Sequence, residues 1–331
     1  MFRKIKNRSE FSNNVITLMT GSTLSYVIPI IVSPILTRIY TPDDFGLYAI
    51  FLAIISIIGS IVCGRYELAI MLPENDNDSA SIVIICMIIN TFITFLIFII
   101  LYFFNEVLIS LLNINIRSLW LYLIPVAIFI YGCYNVLVYF NNRFKDYKNI
   151  SNTLIIRSSS SSLIQLLSGL INLGALGLIM GQFISLIVST IKLSLILIKK
   201  RNLFYNITKV KLVYLARRYN RFPKFSVSAI LSNKLSFQLT NIIISSIFSI
   251  TILGYYTHVQ RVLGLPSTLI GSSIGRVFFH ESNKEKQRTG KSIKTLKLTL
   301  LKLCWIGIII FGLLFFIIED LFAFVFGEEW R

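Results

Sequence analysis

The chain has 331 residues and a net charge of +17, and 55% of its residues are hydrophobic whereas only 14% are charged. Soluble globular domains carry about 25% charged residues, and a helix needs about 20 apolar residues to cross a bilayer. Here the apolar residues form blocks of that length rather than periodic stripes. The composition therefore predicts an all-α polytopic membrane protein and excludes a soluble enzyme.

Nine apolar blocks follow one another along the chain, and we interpret each of them as a transmembrane helix. They cover residues 15–36, 47–63, 82–104, 119–140, 154–173, 176–198, 227–248, 252–278 and 298–318. The fifth block is the least apolar, because it contains Arg157, a run of serines at 158–162 and Gln165.

Lys and Arg residues are distributed unevenly between the loops that these blocks define. The N-terminal tail and the even-numbered loops carry 24 of the 32 Lys and Arg residues, whereas the opposite loops carry 3. Loops rich in Lys and Arg face the cytoplasm, so we expect a cytoplasmic N-terminus. The net charge is then explained mainly by topology, and it does not indicate a nucleic-acid site.

The sequence contains no pattern typical of catalysis or of a metal site. Its four cysteines lie within or at the ends of apolar blocks without CxxC spacing, its two histidines form no zinc signature, and GxSxG, HExxH and P-loop motifs are absent. A membrane-embedded polymerase or ligase would need a sizeable outward loop with catalytic residues, and every predicted outward loop is short. We therefore expect no enzyme activity, no cofactor and no metal.

An internal repeat relates two parts of the chain at an offset of about 208–214 residues. The matching pairs are 45–48 with 253–256, Gly64-Arg65 with Gly275-Arg276, 105–108 with 319–322, and Trp120 with Trp330. Six predicted spans separate the copies, so both cross the membrane in the same direction, as in parallel repeats about the membrane normal. We expect a six-helix lobe at 1–198, a basic cytoplasmic linker at 199–225 and an incomplete three-helix lobe at 226–331. We therefore expect that the chain is truncated at its C-terminus.

Five basic residues lie inside the predicted spans, where a charge at the centre of a helix costs about 2.5–3.5 kcal/mol. They are Arg157, Lys192, Lys234, Arg261 and Lys302. Lys192 and Lys302 are within two turns of the predicted cytoplasmic ends, so their side chains can extend to the headgroups. Lys234 shares a helical face with Gln238 and Asn241, and Arg261 follows His258 by one turn. We favour cavity lining for Lys234 and Arg261, whereas for Arg157 a cavity and extension to the headgroups are equally open.

Acidic residues are almost missing from the predicted spans. Glu67 lies at the cytoplasmic end of the second span beside Arg65, and we expect a local ion pair there. A cation-driven drug exporter needs a buried carboxylate, whereas a positively charged lining favours an anionic cargo such as a phosphate or diphosphate head group. A drug or cation antiporter therefore remains the weaker alternative.

Several motifs together resemble a known family. They are PILTRIYTPDDFGLY at 34–48, GRYELAIMLP at 64–73, RYNRFP at 218–223, LGYY at 253–256 followed by Arg261 and Pro266, and FGEEW at 326–330. In this order they resemble bacterial oligosaccharide flippases, the Wzx-like polysaccharide biosynthesis proteins of the superfamily that also contains multidrug exporters.

The resemblance implies a multi-pass protein of the bacterial inner membrane. Such a protein accepts an undecaprenyl-diphosphate-linked oligosaccharide at the cytoplasmic leaflet, for O-antigen, capsule or lipopolysaccharide biosynthesis. Its expected partners are membrane lipids, this lipid-linked glycan and other polysaccharide-assembly proteins. By analogy, Arg65, Arg157, Lys234 and Arg261 would attract the diphosphate in a cationic cavity. Family members usually have twelve or more spans, so an inactive truncated remnant is a further alternative.

Overall fold

The computed structural model describes residues 2–111, 119–205, 207–290 and 292–330. Within these ranges the chain forms ten α-helices and no strand, which confirms the all-α class. The helices are α1 (Phe2–Leu36), α2 (Pro42–Gly59), α3 (Asp76–Leu111), α4 (Leu123–Arg143), α5 (Tyr147–Leu170), α6 (Ala175–Lys199), α7 (Lys209–Arg218), α8 (Val227–Ile247), α9 (Ile250–Thr289) and α10 (Ile293–Phe326).

Six of the described helices contain segments long and apolar enough to cross a membrane, so the protein is a multi-pass membrane protein. The segments are Asn14–Leu36, Pro42–Gly59, Asp76–Phe104, Trp120–Arg143, Ala175–Lys199 and Ile293–Phe326. The other three predicted spans coincide with α5, α8 and α9, which are long helices of more polar sequence. Nine long helices thus occupy the nine predicted positions, and membrane crossing by the three polar ones stays a prediction.

The start of α2 is determined by the TPDD sequence. Thr41 and Asp44 cap the helix reciprocally: the Thr41 N–H donates to Asp44 Oδ2 at 3.0 Å, and the Asp44 N–H donates to Thr41 Oγ1 at 3.3 Å. Pro42 occupies the first turn, where its missing N–H costs no hydrogen bond. The motif therefore ends the connection from α1 and aligns the first turn of α2.

Three polar side chains of α5 hydrogen-bond to neighbouring helices. The Ser151 and Ser158 hydroxyls donate to the carbonyl oxygens of Thr17 and Ser25 in α1, at 2.9 and 2.8 Å. On the other side, Gln165 Nε2 donates to the Leu178 carbonyl of α6 at 3.1 Å. Small hydroxyl residues let helices approach closely and hydrogen-bond in the membrane. Two polar residues of the fifth block, Ser158 and Gln165, thus contact α1 and α6.

The helix α7, within the basic linker, docks against the bundle where α3 begins. Lys211 Nζ lies 2.6 Å from Asp78 Oδ1, and the Tyr66 hydroxyl donates to the Ala216 carbonyl at 2.8 Å. Nearby, Arg143 Nη2 lies 2.8 Å from Asp76 Oδ1. These contacts connect the linker to the end of the bundle that we predict to be cytoplasmic.

Positions related by the predicted repeat contact each other where α2 and α9 begin. A Cβ atom on Gly46 would overlap the carbonyl oxygen of Ile250, and a Cβ atom on Gly254 would overlap the carbonyl oxygen of Pro42. The Thr251 hydroxyl donates to the Asp43 carboxylate. At the repeat offset of 208, the Gly46–Ile250 pair is the equivalent of the Gly254–Pro42 pair, and Asp43 contacts its own equivalent, Thr251. The contact is therefore pseudo-twofold, and it requires glycine at both close approaches.

The chain forms two compact units, Met1–Gly254 and Tyr255–Arg331. Within the first unit the buried ring of Trp120 packs on Phe51 of α2, with ring centroids 6.2 Å apart. Within the second unit the buried ring of Trp330 packs on His258 of α9 at 4.6 Å. The two repeat-related tryptophans thus contact equivalent helices. The lobe boundaries at 198 and 226 stay a prediction.

Candidate functional site

A cavity of about 200 Å³ lies inside the first unit, between α2, α4, α5, α6 and α8. Its polar lining residues are Ser56, Tyr131, Arg157, Gln182 and Gln238. The remaining lining residues are apolar, so Arg157 is the only charged side chain around it among the residues that the structure describes. We refer to it as the Arg157 cavity.

The Arg157 guanidinium is held by an aromatic ring rather than by a carboxylate. Its central carbon lies 4.8 Å from the centroid of the Tyr134 ring, within the range of cation–π attraction. The side chain is half-buried, and no carboxylate of the described residues forms an ion pair with it. A cation in this position can therefore attract an anionic ligand without first breaking an ion pair.

Arg65 is in a different environment. Its Nη1 lies 3.0 Å from Glu67 Oε1, and the side chains of Arg65 and Glu67 are 19% and 4% exposed. This confirms the expected local ion pair. Burial raises the pKa of the Glu67 carboxyl above its ordinary value, and the neighbouring Arg65 offsets only part of this rise. Arg65 does not line the Arg157 cavity, and its charge is already matched by a buried carboxylate.

Lys234 lies one helical turn before a residue that lines the Arg157 cavity. That residue is Gln238, whose Oε1 accepts a hydrogen bond from Asn241 Nδ2 at 2.9 Å. Lys234 itself is half-buried and is not among the lining residues. Since α8 packs against α2, the predicted polar face of α8 reaches the cavity through Gln238.

Arg261 belongs to the second unit, where it is half-buried on α9. One turn earlier, His258 is buried among aromatic rings, with centroid distances of 4.6 Å to both Phe326 and Trp330. The structure therefore places Arg261 beside an aromatic cluster. The side chain of Arg276, which belongs to the second copy of the Gly-Arg repeat motif, lies outside the described part of the structure.

Sequence reasoning missed most of the residues that surround Arg157. Tyr131 and Tyr134 come from α4, Ser56 from α2 and Gln182 from α6. Gln182 carried a usable signal, because it is an amide within an otherwise apolar block. The others carried none, since tyrosine and serine are common in spans that have no binding role.

Metal ligation has no candidate in the described ranges, which contain no group of three His, Cys, Asp or Glu side chains able to hold an ion. Cys63, Cys86, Cys133 and Cys304 are free thiols. The chemistry available in the Arg157 cavity is therefore ionic attraction, hydrogen bonding from amide and hydroxyl groups, and aromatic stacking.

Fold and cavity together define an all-α, multi-pass membrane protein with a cationic internal cavity. A family model described as polysaccharide biosynthesis protein matches residues 35–331. The chain belongs to this family, which confirms the resemblance, and it has a role in polysaccharide synthesis or export. Searches of curated proteins and of solved structures found no significant match.

Proposed function

We propose that this protein moves undecaprenyl-diphosphate-linked oligosaccharide repeat units across the bacterial inner membrane for surface polysaccharide biosynthesis. The observation that carries the proposal is the half-buried Arg157 guanidinium, which faces a cavity without a paired carboxylate in a member of a polysaccharide biosynthesis family. It is a transporter in this proposal, with no covalent chemistry.

The Arg157 cavity suits a diphosphate better than a whole oligosaccharide. Guanidinium groups bind phosphate oxygens through two parallel hydrogen bonds, and low surrounding dielectric strengthens the attraction. The volume of about 200 Å³ is below the roughly 300–1,000 Å³ of typical small-molecule pockets. We propose that the diphosphate occupies the cavity, while Gln182, Gln238 and Tyr131 meet the first sugar and the other sugars extend beyond it.

The other predicted site residues take secondary parts in this proposal. Lys234, one turn from Gln238, would add positive charge at the edge of the cavity. Arg65 would contribute only after exchanging Glu67 for a phosphate group, because its charge is matched in this structure. Arg261 would provide a cation in the second unit.

An anionic cargo is favoured over the cationic cargo of a drug antiporter. Such an antiporter would use an intramembrane carboxylate that is free to exchange protons or sodium. Glu67 is the buried carboxylate among the residues whose side chains are described, and it pairs with Arg65.

Translocation also requires the pathway to open at one side at a time. We propose that the pseudo-twofold contact between 42–46 and 250–254 closes the periplasmic end and separates when that end opens. Gly46→Val should prevent this close approach and reduce transport, whereas Gly307→Val should not, because a Cβ atom on Gly307 meets nothing within 4 Å. Equal transport by both variants would contradict a role for the contact.

The proposed function is tested by complementation. The 331-residue chain is expressed with the matching glycan-assembly genes in a host that lacks its own flippase. We expect surface polymer with the wild type, and accumulation of lipid-linked repeat units at the inner leaflet with Arg157→Gln. Lys302→Gln is the matched control, because it removes an exposed cation from another apolar helix. Surface polymer from Arg157→Gln at the wild-type level would refute the role of this cavity.

A further inference from the structure

A second polar pocket lies at the end of the bundle where α5 begins and α6 ends. It also has a volume of about 200 Å³, and three lysines line it: Lys148 of α5, and Lys192 and Lys199 of α6. Asn149 and Asn152 contribute amide groups. No residue of this pocket lines the Arg157 cavity. We refer to it as the lysine pocket.

The lysine pocket has an excess of positive charge that the protein itself does not balance. Its one carboxylate, Asp146, caps α5 by accepting the Asn149 N–H at 3.2 Å. Among the described residues, no carboxylate lies within ion-pair distance of Lys148, Lys192 or Lys199. Like charges repel one another, and an anion between them offsets this repulsion. The lysine pocket therefore favours a bound anion.

The surroundings of the lysine pocket identify the kind of anion. Lys192 and Lys199 lie two turns apart near the end of the membrane-crossing segment Ala175–Lys199, and Lys192 is half-buried. Leu195, which is exposed, and Ile196 add apolar surface to the same lining. A ligand that satisfies both surfaces carries a phosphate group and hydrocarbon chains. The sequence predicts that the Lys192 side chain extends to the headgroup region, and the lysine pocket gives it a specific ligand there.

We propose that the lysine pocket binds the headgroup of an anionic phospholipid from the surrounding leaflet. The phosphate lies between the three ammonium groups, the amides of Asn149 and Asn152 contact the remaining oxygens, and the acyl chains follow Leu195. Bound in this way, the lipid neutralises the lysines and holds the ends of α5 and α6 together. The proposal is independent of the transported cargo.

Native mass spectrometry of the purified full chain tests the proposal, with phosphatidylglycerol and phosphatidylcholine as probes. Each lysine near anionic headgroups strengthens binding by about fivefold. We therefore expect Lys148→Gln/Lys192→Gln/Lys199→Gln to retain phosphatidylglycerol about 100-fold more weakly than the wild type. Lys209→Gln/Lys224→Gln/Lys297→Gln removes three exposed lysines elsewhere and should retain it normally. Neither variant should change retention of phosphatidylcholine.

Three results would overturn the proposal. Equal losses in both triple variants would show non-specific charge attraction, and normal retention by the pocket variant would show that the pocket is not the site. Binding of inorganic phosphate that depends on these lysines, without retention of phosphatidylglycerol, would assign the pocket to a free anion. Lys192→Gln alone, checked by thermal unfolding in detergent, provides the same comparison if the triple variant fails to fold.

Discussion

Arg65 and Arg157 were predicted to line one cationic cavity, yet the structure gives them opposite surroundings. Arg65 forms a 3.0 Å ion pair with the buried Glu67. Arg157 stacks over Tyr134 and faces a cavity lined by amide, hydroxyl and apolar groups. Both are basic residues in or beside apolar segments, so their residue type and position along the chain do not distinguish them.

The difference shows that the counter-charge decides whether a basic residue in a membrane protein is available to a ligand. A paired charge must lose its partner before it binds cargo, and separating a buried pair is costly. A charge held only by an aromatic ring keeps its electrostatic attraction for an incoming anion. Arg157 is accordingly the stronger candidate for cargo binding, and we expect Arg65 to stabilise the fold through its ion pair with Glu67.

Replacement of Arg157 should have the largest effect on transport. We expect Arg157→Gln to reduce surface polymer about 30-fold or more, because loss of one member of a buried charge interaction costs about 2–5 kcal/mol. Arg157→Lys should retain part of the activity, since it keeps the charge but loses the paired hydrogen bonds. Polymer export is measured at matched protein abundance. Full activity of Arg157→Gln would show that Arg157 is no more important for cargo binding than Arg65.

Replacement of Arg65 should instead reduce stability. Arg65→Gln leaves the Glu67 carboxylate buried without a counter-charge, and we expect a loss of about 2 kcal/mol in unfolding free energy, less than for a fully buried pair because Glu67 can take up a proton. The measurement is thermal unfolding in detergent. Arg65→Gln/Glu67→Gln should recover most of this loss. A double variant that is stable but inactive in transport would show that Arg65 also contacts cargo.

Replacement of Tyr134 should have a moderate effect on transport. Tyr134→Leu removes the ring beneath the guanidinium, and we expect a two- to fivefold reduction, because an exposed or partly exposed cation–π contact contributes about 0.5–1 kcal/mol. Tyr134→Phe keeps the ring and should transport normally. If both variants behave alike, the ring does not position Arg157.

The smallest effect should be a pH dependence of stability that originates from Glu67. Burial raises the pKa of this carboxyl above its ordinary value of 4.5. The folded protein then binds this proton more tightly than the unfolded chain does, so the stabilising contribution is complete below pH 4.5 and is lost as the pH rises through the higher folded pKa. The measurement is the unfolding free energy of the wild type and of Glu67→Gln as the pH rises from below 4.5. Only the wild type should lose stability from this group, and identical pH profiles would contradict the prediction.

Contacts between residues close in sequence could be predicted, whereas contacts between residues of different helices could not. The Arg65–Glu67 pair was predictable because the two residues are two positions apart, so their long side chains can meet without any contact between distant helices. The capping of α2 by Thr41 and Asp44 is equally local. The lining of the Arg157 cavity was not predictable, because its residues come from five helices. For the same reason the sequence could not show which polar residues of α5 pack against neighbouring helices and which line the cavity.

The sequence by itself determined the class of membrane protein, the positions of nine long helices and the family. These depend on the length and composition of consecutive residues, because a helix that crosses a bilayer needs a continuous apolar segment of fixed length. It also predicted a repeat, and hence which positions are equivalent. Only the tertiary structure decided that the repeat-related glycines at 46 and 254 lie in one contact, that Arg157 faces a cavity, and that Lys192 lies with Lys148 and Lys199. These facts depend on helix packing, which places residues far apart in sequence within a few ångströms of one another.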